Sequence, residues 1–213
     1  MPKFTRAALI SIGLLAGAGS ARSEDLPYFV GDVWGVWQHL PPKESADPDD
    51  RPHCKLGTTT WLNRGLNFVY ILTSVDYIEP WLQIYSENWE LPVGNKTHVD
   101  LMTIAGRLSF ELAAESTESL TGSTDPKVVG KDKSFSVEVA LSYMLDSRRT
   151  NISTRVRFAG SEPEWYVPPM GQFETHQVNA NLNGCIADLR GKAADLFRRD
   201  GGKTDGRTSP FAQ

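Results

Sequence analysis

Val99-Asp100-Leu101-Met102-Thr103-Ile104 alternates apolar and polar side chains, the period of a β-strand with one face buried and one wet. Gly106 then marks a turn, and residues 108–112, Leu-Ser-Phe-Glu-Leu, alternate again. Upstream, Leu66-Asn67-Phe68-Val69-Tyr70-Ile71-Leu72 and Trp81-Leu82-Gln83-Ile84-Tyr85 are rich in aromatic and branched residues, which suit a pleated, half-buried surface. Pro92-Val93-Gly94-Asn95 reads as the turn after them. Further back, Tyr28-Phe29-Val30-Gly31-Asp32-Val33-Trp34-Gly35-Val36-Trp37 has the same aromatic, β-favouring character. Between it and Cys54, residues 41–52 carry four prolines interleaved with acidic residues. That stretch predicts a surface loop. Residues 116–133 are polar and contain Gly122, Pro126 and Gly130, and predict a loop or irregular edge.

Two segments change period. Val137, Ala140, Leu141, Met144 and Leu145 fall on one helical face, which predicts a helix near 134–148. Ser134 or Asp132 is the expected cap, and Arg148 and Arg149 suit the C-terminal dipole. A strand over 152–158 is expected to follow. Val178, Leu182, Cys185, Ile186, Leu189, Ala193, Leu196 and Phe197 form a second helical stripe, with Gly201 and Gly202 as its stop. Strands first and helices later predict an α+β domain: an antiparallel β-sheet or sandwich with the C-terminal helix packed on it. The domain is expected over 24–199, with a Gly-rich disordered tail over 200–213.

Residues 1–23 have the make-up of a secretory signal peptide. Lys3 and Arg6 precede the apolar run Ala7–Gly19, and small residues collect up to Ser23. Cleavage is expected after Ala18, Ala21 or Ser23, with Ala21 or Ser23 preferred. The apolar run is shorter than a bilayer-spanning helix requires, so no membrane span is expected after cleavage. The net charge is −4, and it becomes more negative once Lys3, Arg6 and Arg22 are removed. Such a chain lacks the basic surface that nucleic acid requires. An exported chain meets an oxidising compartment, where its two cysteines, Cys54 and Cys185, are expected to form a disulfide. Two buried free thiols, or a Cys nucleophile, are the competing states.

The order Trp89-Glu90-Leu91-Pro92-Val93-Gly94, strand 99–104, helix 134–148, the strand into Phe158-Ala159-Gly160-Ser161-Glu162-Pro163-Glu164-Trp165, and a helix bearing Gly184-Cys185-Ile186 resembles small exported proteobacterial proteins of unknown function. More distantly it resembles the invasion-associated locus B family. The resemblance implies a periplasmic β-rich domain and no catalytic residues. The chain departs from that family in its two cysteines and its long acidic Pro loop.

Catalytic signatures are sparse. His39, His53, His98 and His176 make no zinc-ligand spacing, and Asp49, Asp50, His53 and Cys54 are the densest ligand-like group. No P-loop, nucleophile elbow or dinucleotide fingerprint occurs, so no metal, cofactor or catalytic residue is expected. Two carboxylate pairs stand beside tryptophans, Glu87 and Glu90 around Trp89 and Glu162 and Glu164 before Trp165, an arrangement compatible with glycoside chemistry. Of the six tryptophans, Trp37 and Trp165 adjoin irregular segments. They are the expected exposed binding residues, on an edge of the sheet, because a flat aromatic face can stack on a sugar or a partner's side chain. The leading expectation is a periplasmic or secreted non-enzymatic module binding a protein or glycan partner of the envelope or host. A hydrolase of cell-envelope glycans and a structural or stress-related envelope protein are the alternatives.

Overall fold

A computed structural model describes residues 25–42, 50–59, 61–103, 106–125 and 154–199. Ten strands occur among them: β1 (Leu26–Val30), β2 (Trp34–His39), β3 (His53–Thr58), β4 (Arg64–Ser74), β5 (Tyr77–Ser86), β6 (Lys96–Thr103), β7 (Gly106–Ala114), β8 (Ser119–Ser123), β9 (Arg155–Phe158) and β10 (Trp165–Tyr166). One helix, α1 (Gln172–Arg199), follows. The expected signal peptide, the helix near 134–148 and the tail lie outside the described residues.

The strands form one continuous antiparallel sheet, ordered β1-β2-β3-β4-β5-β8-β7-β6-β9-β10. The antiparallel sheet expected from the alternation is therefore present, as a single sheet and not two. Alternation sets its faces. Leu66, Phe68 and Leu72 of β4, Leu82 and Ile84 of β5, and Val99 and Leu101 of β6 are buried on the inner face. In register, Val99 opposes Phe110 and Leu101 opposes Leu108. On the outer face of β6, Asp100 is held by Ser109 Oγ at 2.6 Å and Arg107 Nε at 2.9 Å. Leu62 and Asn63 adopt φ of 48° and 61°, and Arg64 N donates to Trp61 O at 2.8 Å. This two-residue reversal, with both central residues left-handed, leads the chain into β4.

The sheet curls into a half-barrel. Its last strand, β10, places Trp165 within 5.5 Å of Trp61 and beneath the Arg64 guanidinium at 4.7 Å, although β4 is far from β10 in strand order. The chain leaving β10 stays on the inner side, and Pro168 O accepts from Trp34 Nε1 at 3.0 Å.

Helix α1 packs on β1–β4. Val178, Leu182, Cys185, Leu189 and Ala193 are buried along it, as their spacing predicts. Polar contacts stitch its length to the sheet. Glu174 Oε1 accepts from Trp34 N at 2.9 Å, Tyr28 Oη donates to Asp188, and Lys192 Nζ donates to Gln38 Oε1 at 2.9 Å. Burial and the neighbouring Asp188 charge push the Tyr28 hydroxyl up to about 12. Cys54 of β3 is bonded to Cys185 of α1 across 131 residues of chain. In the chain-entropy picture a loop of that size is worth about 5 kcal/mol against the unfolded state.

Candidate functional site

The residues singled out in the sequence meet different fates. Trp165 is 1% exposed, stacked on Trp89 at 5.1 Å and edge-on to Trp61 and Phe158. It is a core residue and cannot serve as the exposed platform expected of it. β10 is an edge strand, as expected, but the curl of the sheet turns Trp165 inward. Its neighbours are structural too. Glu162 Oε1 accepts from Trp165 Nε1 at 2.8 Å, and Glu164 is clamped by Arg155 at 2.8 Å and Arg157 at 3.0 Å. Arg157's hydrogen bond is the main cause that holds the Glu164 carboxyl below the usual carboxylate range. The disulfide consumes both thiols, which removes the competing states of free thiols and a Cys nucleophile, and the thiol of the Asp49–Cys54 ligand group. Asp49 lies outside the described residues.

Trp37 is half-buried, on the outer face of β2. β2 is the second strand of the sheet, so Trp37 stands on a sheet face and not on an edge. Three glycines shape its surroundings. Gly35 opposes Gly57, Gly57 opposes Asn67, and Asn67 opposes Gln83, a row running across four adjacent strands. A side chain on either glycine would collide with a neighbour. A Cβ at Gly35 would stand 2.5 Å from Trp37 Cη2, and one at Gly57 1.9 Å from Asn67 Oδ1. Farther along β4, a Cβ at Gly65 would stand 1.7 Å from Tyr85 Cε1. Each glycine therefore lets one side chain lie flat on the sheet. Glycine within a strand marks such close approach, and this was the signal available in the sequence.

The result is a groove of about 520 Å³ lined by Val30, Trp37, Lys55, Asn67, Gln83 and Tyr85, with Ser116 and Glu118 of the β7–β8 connection and Ser119 of β8 on one wall. Asn67 Nδ2 donates to Gln83 Oε1 at 2.8 Å, which fixes both amides. Among the described residues, Trp37 Nε1, Gln83 Nε2 and Tyr85 Oη have no hydrogen-bond partner. Burial, then the charge of Glu87, raises the Tyr85 hydroxyl above its ordinary value. Lys55 Nζ lies 5.4 Å from the Trp37 ring centre and donates to Asp25 Oδ2 at 2.6 Å. The site thus combines a pre-set aromatic face with polar groups able to donate and accept.

Beyond Lys55, His39 bridges two carboxylates, Asp25 at 3.0 Å through Nδ1 and Asp50 at 2.6 Å through Nε2. Asp25's hydrogen bond, the larger cause, and Asp50 raise the His39 imidazole above its ordinary value. His39 in turn holds the Asp25 carboxyl far below the carboxylate range. His53 stacks on His39 at 4.6 Å and contacts Arg51 O at 2.8 Å, and burial lowers it to about 4. Among the described residues, no group of His, Cys, Asp and Glu has a metal-binding arrangement.

A second hollow, of about 740 Å³, shares Glu118 with the groove and is lined by Glu87, Trp89, Glu90 and Thr117. All three carboxylates are exposed. Among the described residues no helix is long and apolar enough to cross a membrane. No known family, curated protein or solved structure matches the chain.

Proposed function

We propose that this chain is an exported, non-enzymatic binding module, periplasmic or secreted, whose recognition surface for an envelope or host component is the groove around Trp37. The observation that carries the reading is the trio of glycines lying under Trp37, Asn67 and Tyr85. Core packing alone does not call for it, since these side chains lie on the outer face. A surface held rigid before contact loses less freedom on binding. An intramolecular disulfide supports an oxidising compartment. The likeness to small exported proteobacterial proteins and, distantly, to the invasion-associated locus B family belongs to the same proposal.

Two measurements test it. Mass analysis of the protein from its native compartment should find a chain beginning at Arg22 or Glu24, and an intact leader rejects export. The mature protein should capture an envelope component that the Trp37→Ala variant does not. Equal capture by both discards the groove.

A glycan hydrolase is the second reading, favoured by the hollow where Glu87, Glu90 and Glu118 surround Trp89. Glycoside hydrolysis needs one acid kept protonated in a desolvated setting, and these carboxylates are exposed. Release of reducing ends from envelope glycan that is lost in Glu118→Gln would establish this reading over the first.

A further inference from the structure

We infer, resting on the groove reading above, that the ligand is an uncharged oligosaccharide lying across the sheet face on Trp37. Three features of the groove select it.

Position comes first. β2, β3, β4, β5 and β8 are each paired on both sides. The groove reaches the edge strand β1 only at Val30, the last residue of that strand, so its floor presents side chains and not a length of main chain on which an extended peptide could add as a further strand. Recognition falls to side chains.

Chemistry is second. A pyranose presents an apolar C–H face and a rim of hydroxyls, each able to donate and accept. The Trp37 indole supplies a flat face, and the Tyr85 ring lines the groove farther along, on β5. Around these rings stand unpartnered donors at Trp37 Nε1, Gln83 Nε2 and Tyr85 Oη, and acceptors at Glu118 and the paired Ser116 and Ser119 hydroxyls. Trp37 on β2 and Gln83 and Tyr85 on β5 are separated by two strands, so these groups are spread along a span of roughly three 4.8 Å strand spacings, long enough for more than one sugar ring. A purely apolar ligand would leave these donors without water or partner, at a cost.

Charge is third. Lys55 is the one cation lining the groove among the described residues, and its ammonium is already held by Asp25 at 2.6 Å. Glu118 lines the groove, and Glu87 and Glu90 stand in the adjoining hollow. Uronate, sulfate or phosphate groups would be repelled, so anionic glycans are selected against.

The test titrates the mature, disulfide-intact protein with cellotetraose, chitotetraose and an immobilised panel of uncharged envelope and host glycans, and with oligogalacturonate as the anionic comparator. Tryptophan fluorescence and calorimetry are the readouts. An uncharged oligosaccharide should bind, and oligogalacturonate should not. Trp37→Ala should weaken binding about tenfold or more, the loss of a stacked face. Gln83→Ala should weaken it roughly 2–10-fold, one hydrogen bond's worth. Trp37→Phe should retain most of it, and Phe173→Ala, which does not line the groove, should leave it unchanged. Far-UV circular dichroism establishes that each variant is folded. A blank result with every uncharged glycan, or preference for oligogalacturonate, overturns the inference. If the glycans fail but Trp37→Ala still abolishes capture of a protein from envelope extract, the groove stands and the saccharide falls. If a glycan binds and neither Trp37→Ala nor Gln83→Ala affects it, the groove falls as well.

Discussion

The indole of Trp37 lies across Gly35, two residues earlier on the same strand, so closely that a Cβ at position 35 would sit 2.5 Å from Trp37 Cη2. The ring cannot stay there if residue 35 has a side chain. Gly35→Ala should lift Trp37 off the sheet, shift its fluorescence toward the solvent-exposed range, and cost about 1–3 kcal/mol in urea denaturation, the usual scale of overpacking. An unshifted emission spectrum would show that the ring is not held by this contact.

Trp37 and Trp165 should separate sharply on substitution. Trp165→Ala removes a fully buried side chain from the cluster with Trp61, Trp89 and Phe158, and should cost about 3–5 kcal/mol. Trp37→Ala exposes a groove floor that is already partly wet, and should cost on the order of 1 kcal/mol. Equal losses in chemical denaturation would contradict the assigned burial.

The Cys54–Cys185 bond joins β3 to α1. Protein denatured without reductant should take up no thiol label, and two labels per chain would refute the bond. Replacing both cysteines by serine should lower stability by about 2–5 kcal/mol, read as a fall in Tm under non-reducing conditions.

The stacked pair His39 and His53 should give opposing pH signatures. The folded pKa of His53 is lowered to about 4, so between pH 6.5 and 4 the unfolded chain binds a proton that the folded chain refuses. Stability from this group is lost as pH falls through that window, by about 1–3 kcal/mol. His39 is raised, so its contribution is complete below pH 6.5 and is lost as pH rises through its folded value. His53→Asn should flatten the acid limb of the stability profile, and His39→Asn should remove the decline that sets in as pH rises above 6.5. Denaturation midpoints from pH 4 to 8 decide the matter. Profiles unchanged in both variants would remove the bracket from the account of stability.

Gly184 and Gly191 stand on the exposed side of α1, where an added Cβ would meet nothing within 4 Å. Each change to alanine should stabilise the protein by about 0.5–1 kcal/mol, through the lost freedom of the unfolded chain. No gain in Tm from the double variant would imply that the helix is distorted at these positions.

Strands β4 to β7 and helix α1 were legible because their apolar residues repeat at the period of the element that buries them. β3 and β8 were not. His53–Thr58 alternates only over its first four residues before Gly57, and Ser119–Ser123 carries a single apolar residue, Leu120, alongside Gly122. They are strands because neighbours supply their hydrogen bonds: β3 lies between β2 and β4, and β8 between β5 and β7. The polar reading of residues 116–133 failed at β8 for that reason.

The sequence by itself determined what is local: the strand and helix periods, the buried stripe carrying Cys185, and Trp37 as a residue to watch. Only the tertiary structure decided which cross-strand neighbours meet. Asn67, Gln83 and Tyr85 join Trp37 through the register of separate strands, and Gly35, Gly57 and Gly65 gain meaning only when another side chain lies over them. The same holds for Trp165. Local pattern left it beside an irregular segment, and the curl of the sheet, a property summed over ten twisted strands, turned it into the core.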